Sequence, residues 1–167
     1  MWLSTAVLLF LLMRVEKLPL RAIGLGTSSI KWSLIWGAIL AVVLTLVAFG
    51  LVVVTHYTGA QAGEAMSKRP LWLVFLIVVR AGVMEEIFYR GYAIERLQAI
   101  GLNRSWAATV PLLIFAVSHW TGGWANIVIA LAIGAILTAS YLWRRDLVAN
   151  MIGHFMIDFV ANVLPRL

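Results

Sequence analysis

Residues 71–90 read LWLVFLIVVRAGVMEEIFYR. An almost wholly apolar run from Leu71 to Val83 leads straight into two adjacent glutamates, Glu85 and Glu86, with Arg90 four residues after the second. Pro70 stands just before the run, a good place for a helix to start. The run is too long for a strand and does not alternate. It is expected to continue as one helix past Arg90 to about Ile100, with a polar end at Glu95, Arg96 and Gln98 and a turn at Gly101 and Asn103. A charge at membrane depth costs at least a few kcal/mol. Carboxylates on such a helix therefore point to function.

The rest of the chain has the same character. Of 167 residues, 63% are hydrophobic and 12% charged, and the mean hydropathy is +0.98. Soluble domains are closer to half apolar and a quarter charged. The composition is that of an integral membrane protein. With no cysteine there is no disulfide framework, thiolate metal site or thiol nucleophile. The formal charge of +6 is scattered between apolar runs. That pattern suits loops facing an anionic leaflet rather than nucleic acid.

Six apolar segments are expected: Trp2 to Met13, Ser33 to Val54, Leu71 to about Ile100, Ser105 to Trp120, Trp124 to Trp143 and Leu147 to Leu164. Trp2 to Met13 lacks the flanks of a cleavable signal and is short for a span. Either its helix continues through Leu18 and Leu20, or part of an upstream helix is missing. Ser105 is a candidate N-cap. Gly122 and Gly123 break the fourth segment, and Pro165 stops the last. No repeat, low-complexity stretch or second domain is visible. The fold class is thus all-α, a polytopic transmembrane bundle of about six apolar helices, with residues 1–167 as one membrane-embedded domain. With the N-terminus outside, the inner loops hold Arg14, Lys17, Arg21, Lys31, Arg90, Arg96, Arg104, Arg144 and Arg145. The outer loops hold only Lys68, Arg69 and Arg166, so the bias favours both termini outside.

Six ionisable residues in three segments form a constellation. Glu86 and Arg90 share a helix face in the favourable order for an ion pair. Glu85 lies about 100° round an α-helix from Glu86, with no partner in its own helix. The spacing suggests Glu86–Arg90 as a structural clamp and Glu85 as the working carboxylate. Alone, His119 would read as a helix-end histidine bonded to a carbonyl. The turn near Gly101 to Arg104 folds the third and fourth segments into a hairpin, which brings Glu85 and His119 to one depth. His154 and Asp158 are four apart on one face, extended by Asn150 and Asn162. The two asparagines read as interhelical glue, the other pair as chemistry. Arg80 has no evident partner in its helix. His56, beside Tyr57 and Gly59, reads as a surface residue.

Three stretches, in this order, resemble the motifs of the CPBP (Abi) intramembrane proteases, a family named for CAAX processing and bacteriocin self-protection. Glu85-Glu86-Ile87-Phe88-Tyr89-Arg90 resembles its EExxxR motif, and Phe115-Ala116-Val117-Ser118-His119 its FxxxH motif. His154-Phe155-Met156-Ile157-Asp158 is similar to its His followed four residues later by Asn or Asp. The resemblance covers about Leu71 to Leu164, the expected catalytic core (71–164). It implies an endopeptidase related to the enzymes that remove the last three residues of prenylated CAAX proteins. Glu85 and His119 would activate water, His154 and Asp158 would orient or stabilise the oxyanion, and Glu86 and Arg90 would support them. Eight helices are common in the family, and there is room here for six at most.

The chemistry is consistent with that. A carboxylate in an apolar site suits a general base, and histidine can hold water or donate to developing charge. On the preferred reading no cofactor is required. Glu85, His119 and His154 would be the ligands if zinc were used, leaving one position open for water. The expected partners are a peptide or membrane-protein substrate and the lipid bilayer, without nucleic acid. The expected location is the cell membrane of a bacterium or archaeon. Two other classes fit the same residues: a proton- or ion-translocating protein, and a non-catalytic bacteriocin-immunity protein on the same fold. Translocation finds no support in an inverted repeat or paired broken helices.

Overall fold

A computed structural model describes residues 2–26, 28–59, 64 and 66–167. Among the described residues the chain is all-helical, with six principal helices. α1 is Trp2–Phe10, prolonged by wider turns at Leu11–Val15. α2 is Ile30–Thr55. α3 begins as Leu71–Arg80, opens into π-type turns over Ala81–Ile94 and closes as an α-helix over Glu95–Ala99. α4 is Arg104–Ser118, α5 Gly123–Arg144 and α6 Leu147–Asn162. Among the described residues, three helical stretches are long and apolar enough to cross a membrane: Ile30–Thr55, Trp120–Arg144 and Leu147–Arg166. Thr5–Val15 and Arg104–Ser118 are apolar but shorter.

Several expected boundaries move. The helix of the first segment stops at Val15, and after Pro19 the chain makes a tight turn over Leu20–Ile23. It does not continue through Leu18 and Leu20. The cap of α4 is Asn103 rather than Ser105: the Asn103 side chain accepts from the Trp106 amide at 3.0 Å. Asn caps as well as Ser does, and starting two residues earlier keeps Ser105 inside the first turn. The third segment is one rod to Ala99, as expected, but its middle is not α-helical. Gly101, at φ 99°, makes the turn that follows, a conformation open to glycine at no steric cost.

The core lies where α2, α5 and α6 meet, at Leu40, Leu44, Ile133, Leu137 and Ile157. A second cluster, Ile87, Ile94, Ala108, Tyr141 and Leu147, ties α3 to α4, α5 and α6. Large apolar side chains also cover the outside: Leu46 and Phe49 are 66% and 68% exposed, Trp72 65%. In water this would be a severe liability; against lipid tails it is the natural solvent-facing surface.

Glycines set the closest helix approaches. A Cβ at Gly37 would stand 2.7 Å from the Ile152 Cβ, and one at Gly153 2.8 Å from the Leu40 Cβ, so small residues let α2 and α6 pack backbone to backbone. Gly82 does the same for α3 and α6, with its missing Cβ 2.8 Å from the Phe155 amide nitrogen. Backbone cannot swing away as a side chain can. Gly82→Ala is therefore expected to lower stability by about 1–3 kcal/mol, the usual cost of overpacking, in a detergent-unfolding titration. An unchanged midpoint would show that α3 and α6 are not in contact there.

Contacts gather the basic loops at one end of the bundle. There Arg96 pairs with Glu16 at 2.9 Å and Arg145 with Glu95 at 3.0 Å. Arg104 donates to the Leu142 carbonyl, and Ser33 binds both oxygens of Asp146, which caps α6. At the other end Arg166 donates to the Met66 and Arg69 carbonyls.

Candidate active site

The site is built on α3 and α6, with α4 and α5 closing it. Glu86 is its anchor. It is fully buried (0% exposed) and its Oε1 receives Arg90 Nη1 at 2.6 Å, the i, i+4 pair expected from the spacing. Two further donors reach it from α6: His154 Nδ1 lies 2.8 Å from Oε1 and Asn150 Nδ2 3.2 Å from Oε2. A buried carboxylate is tolerable when it is paired and hydrogen-bonded in this way. Arg90 is held as firmly. Its Nη2 donates to the Gly134 carbonyl at 3.2 Å, and its Cζ sits 4.4 Å from the centre of the Phe115 ring. Gly134 has no room for a Cβ, which would meet Phe115 at 2.9 Å and Arg90 at 3.1 Å.

Both histidines are presented in one orientation. His154 Nδ1 faces the Glu86 carboxylate, an acceptor, so that nitrogen carries hydrogen. His119 Nδ1 lies 2.8 Å from the Phe115 carbonyl, again an acceptor. The neutral His119 ring thus carries its proton on Nδ1 and keeps the lone pair on Nε2. His154 Nε2 is 3.8 Å from Asp158 Oδ2, and the Asp158 side chain is 31% exposed. The carbonyl bond of His119 is the helix-end contact that its position alone suggested, and it also aims the ring. Phe115 lies between the two imidazoles, its ring centre 4.8 Å from His119 and 5.9 Å from His154.

Glu85 is different from its neighbour. It is half-buried, and among the described residues it forms no hydrogen bond or ion pair. It lies within electrostatic range of both His154 and Asp158, and Asp158 is within range of His119 as well. His154 and Asp158 are adjacent, and Phe115 links them to His119. Glu86 does more than clamp Arg90, because it also orients His154 across the helix interface.

Asn150 had the appearance of glue, and it does bond the Leu137 carbonyl at 2.8 Å and Ser140 Oγ at 3.0 Å. Its contact with Glu86 adds it to the support of the site. The available signal was its place one turn before His154 on the same face. Ser140 and the Gly134 carbonyl carried no such signal. Asn162 bonds only the Asp158 carbonyl among the described residues, at 3.0 Å. No three His, Asp or Glu side chains among the described residues are grouped to hold a metal ion. Arg80 remains without an ion pair among the described residues, its Nε buried and unbonded. His56 is exposed, in a left-handed conformation at the end of α2.

A helical membrane protein with a buried carboxylate–arginine clamp steering a histidine beside a second carboxylate has the parts of an intramembrane hydrolase. The family model described as "Type II CAAX prenyl endopeptidase Rce1-like" matches residues 67–160, more than half of the chain. The chain belongs to this family of CAAX-type intramembrane endopeptidases. No curated protein and no solved structure matches it.

Proposed function

We propose that this protein hydrolyses a peptide bond near the cytoplasmic side of the membrane, using a water activated by Glu85 and His119. The observation that carries this reading is the asymmetry of the two glutamates. Glu86 spends its carboxylate on Arg90, Asn150 and His154, and leaves Glu85 beside that histidine with no bonded partner among the described residues. A carboxylate not committed to another partner, beside a histidine, is what a general base requires.

In this mechanism Glu85 takes a proton from a water held by His119 Nε2. The water oxygen attacks the scissile carbonyl carbon, and the carbonyl oxygen becomes an oxyanion. His154, protonated on both nitrogens between Glu86 and Asp158, donates Nε2–H to that oxyanion. As the intermediate collapses the C–N bond breaks, and the proton on Glu85 passes to the departing amine. The products are a new C-terminal carboxylate and a shorter peptide. Residues 71–164 form the catalytic core of a single membrane-embedded unit. The basic loops beside the entry of α6 support a site within reach of the cytoplasm. No step here uses a metal.

Membranes holding the active protein are expected to contain new peptide C-termini that are missing with the Glu85→Gln variant; identical peptide profiles would refute the proteolytic reading. Cleavage by purified protein is expected to survive exhaustive chelation, with no zinc found by elemental analysis. Stoichiometric zinc, together with activity lost on its removal and restored on its return, would overturn the metal-free mechanism.

A further inference from the structure

α4 is shorter than the helix it packs against, and tryptophan marks both of its ends. Its 15 residues, Arg104–Ser118, are apolar, but a span of ordinary thickness needs about 20. Turns at Gly101 and over Trp120–Gly122 bound it on either side. Trp106 stands in its first turn and Trp120 just past its end, both more than half exposed. Leu113, Ile114 and Val117 are exposed between them, and no charged residue occurs from Ser105 to Ser118. α5 packs along α4 and carries its own exposed pair, Trp124 and Trp143. None of these four indole N–H groups has a hydrogen-bond partner among the described residues, whereas Trp36 donates its own to Ser140 Oγ at 3.0 Å. An exposed indole with an unspent N–H belongs at the interface between lipid tails and water.

The two pairs call for different thicknesses. Trp106 and Trp120 stand about 21 Å apart along a helix, and Trp124 and Trp143 about 28 Å. Tilt does not remove the difference, because the helices are tied at both ends and tilt together. Arg104 donates to the Leu142 carbonyl, and Asn126 Nδ2 to the His119 carbonyl at 3.0 Å. We propose that the strip of α4 between Trp106 and Trp120 faces lipid tails and holds the bilayer about 7 Å thinner than it is beside α5. Thinning is one response of a bilayer to a short apolar stretch. A second protein chain over the strip would cover Leu113, Ile114 and Val117 but would bring neither indole to water. α4 also carries Phe115, whose ring lies between the two imidazoles, so the thin strip runs beside the candidate active site. Water there has less hydrocarbon to cross. The inference is independent of the proteolytic reading.

The chain has no cysteine, so single cysteines can be introduced and spin-labelled without background. The test uses the full chain in vesicles of dioleoylphosphatidylcholine, with depth read from the competing accessibility of oxygen and a water-soluble nickel chelate. Labels at Trp106→Cys and Trp120→Cys are expected at the same interfacial depth as labels at Trp124→Cys and Trp143→Cys. Labels at Leu113→Cys and Val117→Cys are expected to be open to oxygen. A combined depth about 7 Å greater for the α4 pair than for the α5 pair would mean a bilayer of full thickness and overturn the proposal. Leu113→Cys and Val117→Cys labels shielded from oxygen would mean that another chain covers the strip, and would overturn it as well. Ser105→Cys and Thr121→Cys keep every tryptophan and are read in the same way, so the test stands even if a tryptophan variant fails to fold.

Discussion

Glu85→Gln is expected to lower kcat by about 10²–10⁴-fold, the range supplied by a positioned general base, while the protein inserts and unfolds as wild type does. The two halves of that expectation have separate causes. Glutamine keeps the shape and polarity of the side chain but cannot take a proton from water. Stability should hold because Glu85 has no bonded partner among the described residues to strand, unlike its neighbour. Cleavage of a peptide by the reconstituted protein, measured beside a thermal unfolding curve, checks both. A variant that cleaves at the wild-type rate would remove Glu85 from the mechanism.

Glu86→Ala should do the reverse and strike the fold first. The change leaves Arg90, 1% exposed, without its counter-ion, and strands His154 Nδ1 and one hydrogen of Asn150. Removing one partner of a buried pair costs about 3–5 kcal/mol. That is a large share of the about 5–15 kcal/mol that holds a typical domain together. Replacing Glu86 and Arg90 together by apolar residues should cost less than the sum of the single changes, because no lone charge remains. Detergent-unfolding midpoints of the two single variants and the double variant give the coupling directly. A loss within the about ±0.5 kcal/mol of ordinary surface sites would contradict the burial of the pair.

Much of this site was legible one helix at a time. Glu86 and Arg90 announced their pair by spacing, and that spacing remained good even where the helix widened. His154 and Asp158 showed their common face in the same way. The depth match expected of Glu85 with His119 rests on a hairpin and a count. What one sequence could not show is how one helix is phased against another. The contact of His154 with Glu86 depends on the packing of Gly82 against the Phe155 backbone, and no periodicity within α3 or α6 encodes it. The same limit hid Gly134 behind Arg90. The shift of the α4 cap from Ser105 to Asn103 has a smaller cause: two good capping residues stood two apart, and local pattern does not choose between them. Arg80 is visible as an anomaly in the sequence, with no evident partner in its own helix.

The π-type turns over Ala81–Ile94 carry one more consequence. π-turns inside α-helices occur often at functional sites, and here they hold both glutamates and Arg90. Each hydrogen-bonded loop there contains one residue more than an α-turn, so the azimuth at which Glu85 and Glu86 leave the rod depends on the pitch kept upstream of them. Losing one residue between Ala81 and Met84 would rotate the carboxylate pair as a block relative to the first part of α3, without removing any group named in the chemistry. Activity in this chain is thus encoded partly as length. An alignment that scores only the identity of the motif residues would pass over a relative in which every one is present and the rod is out of phase.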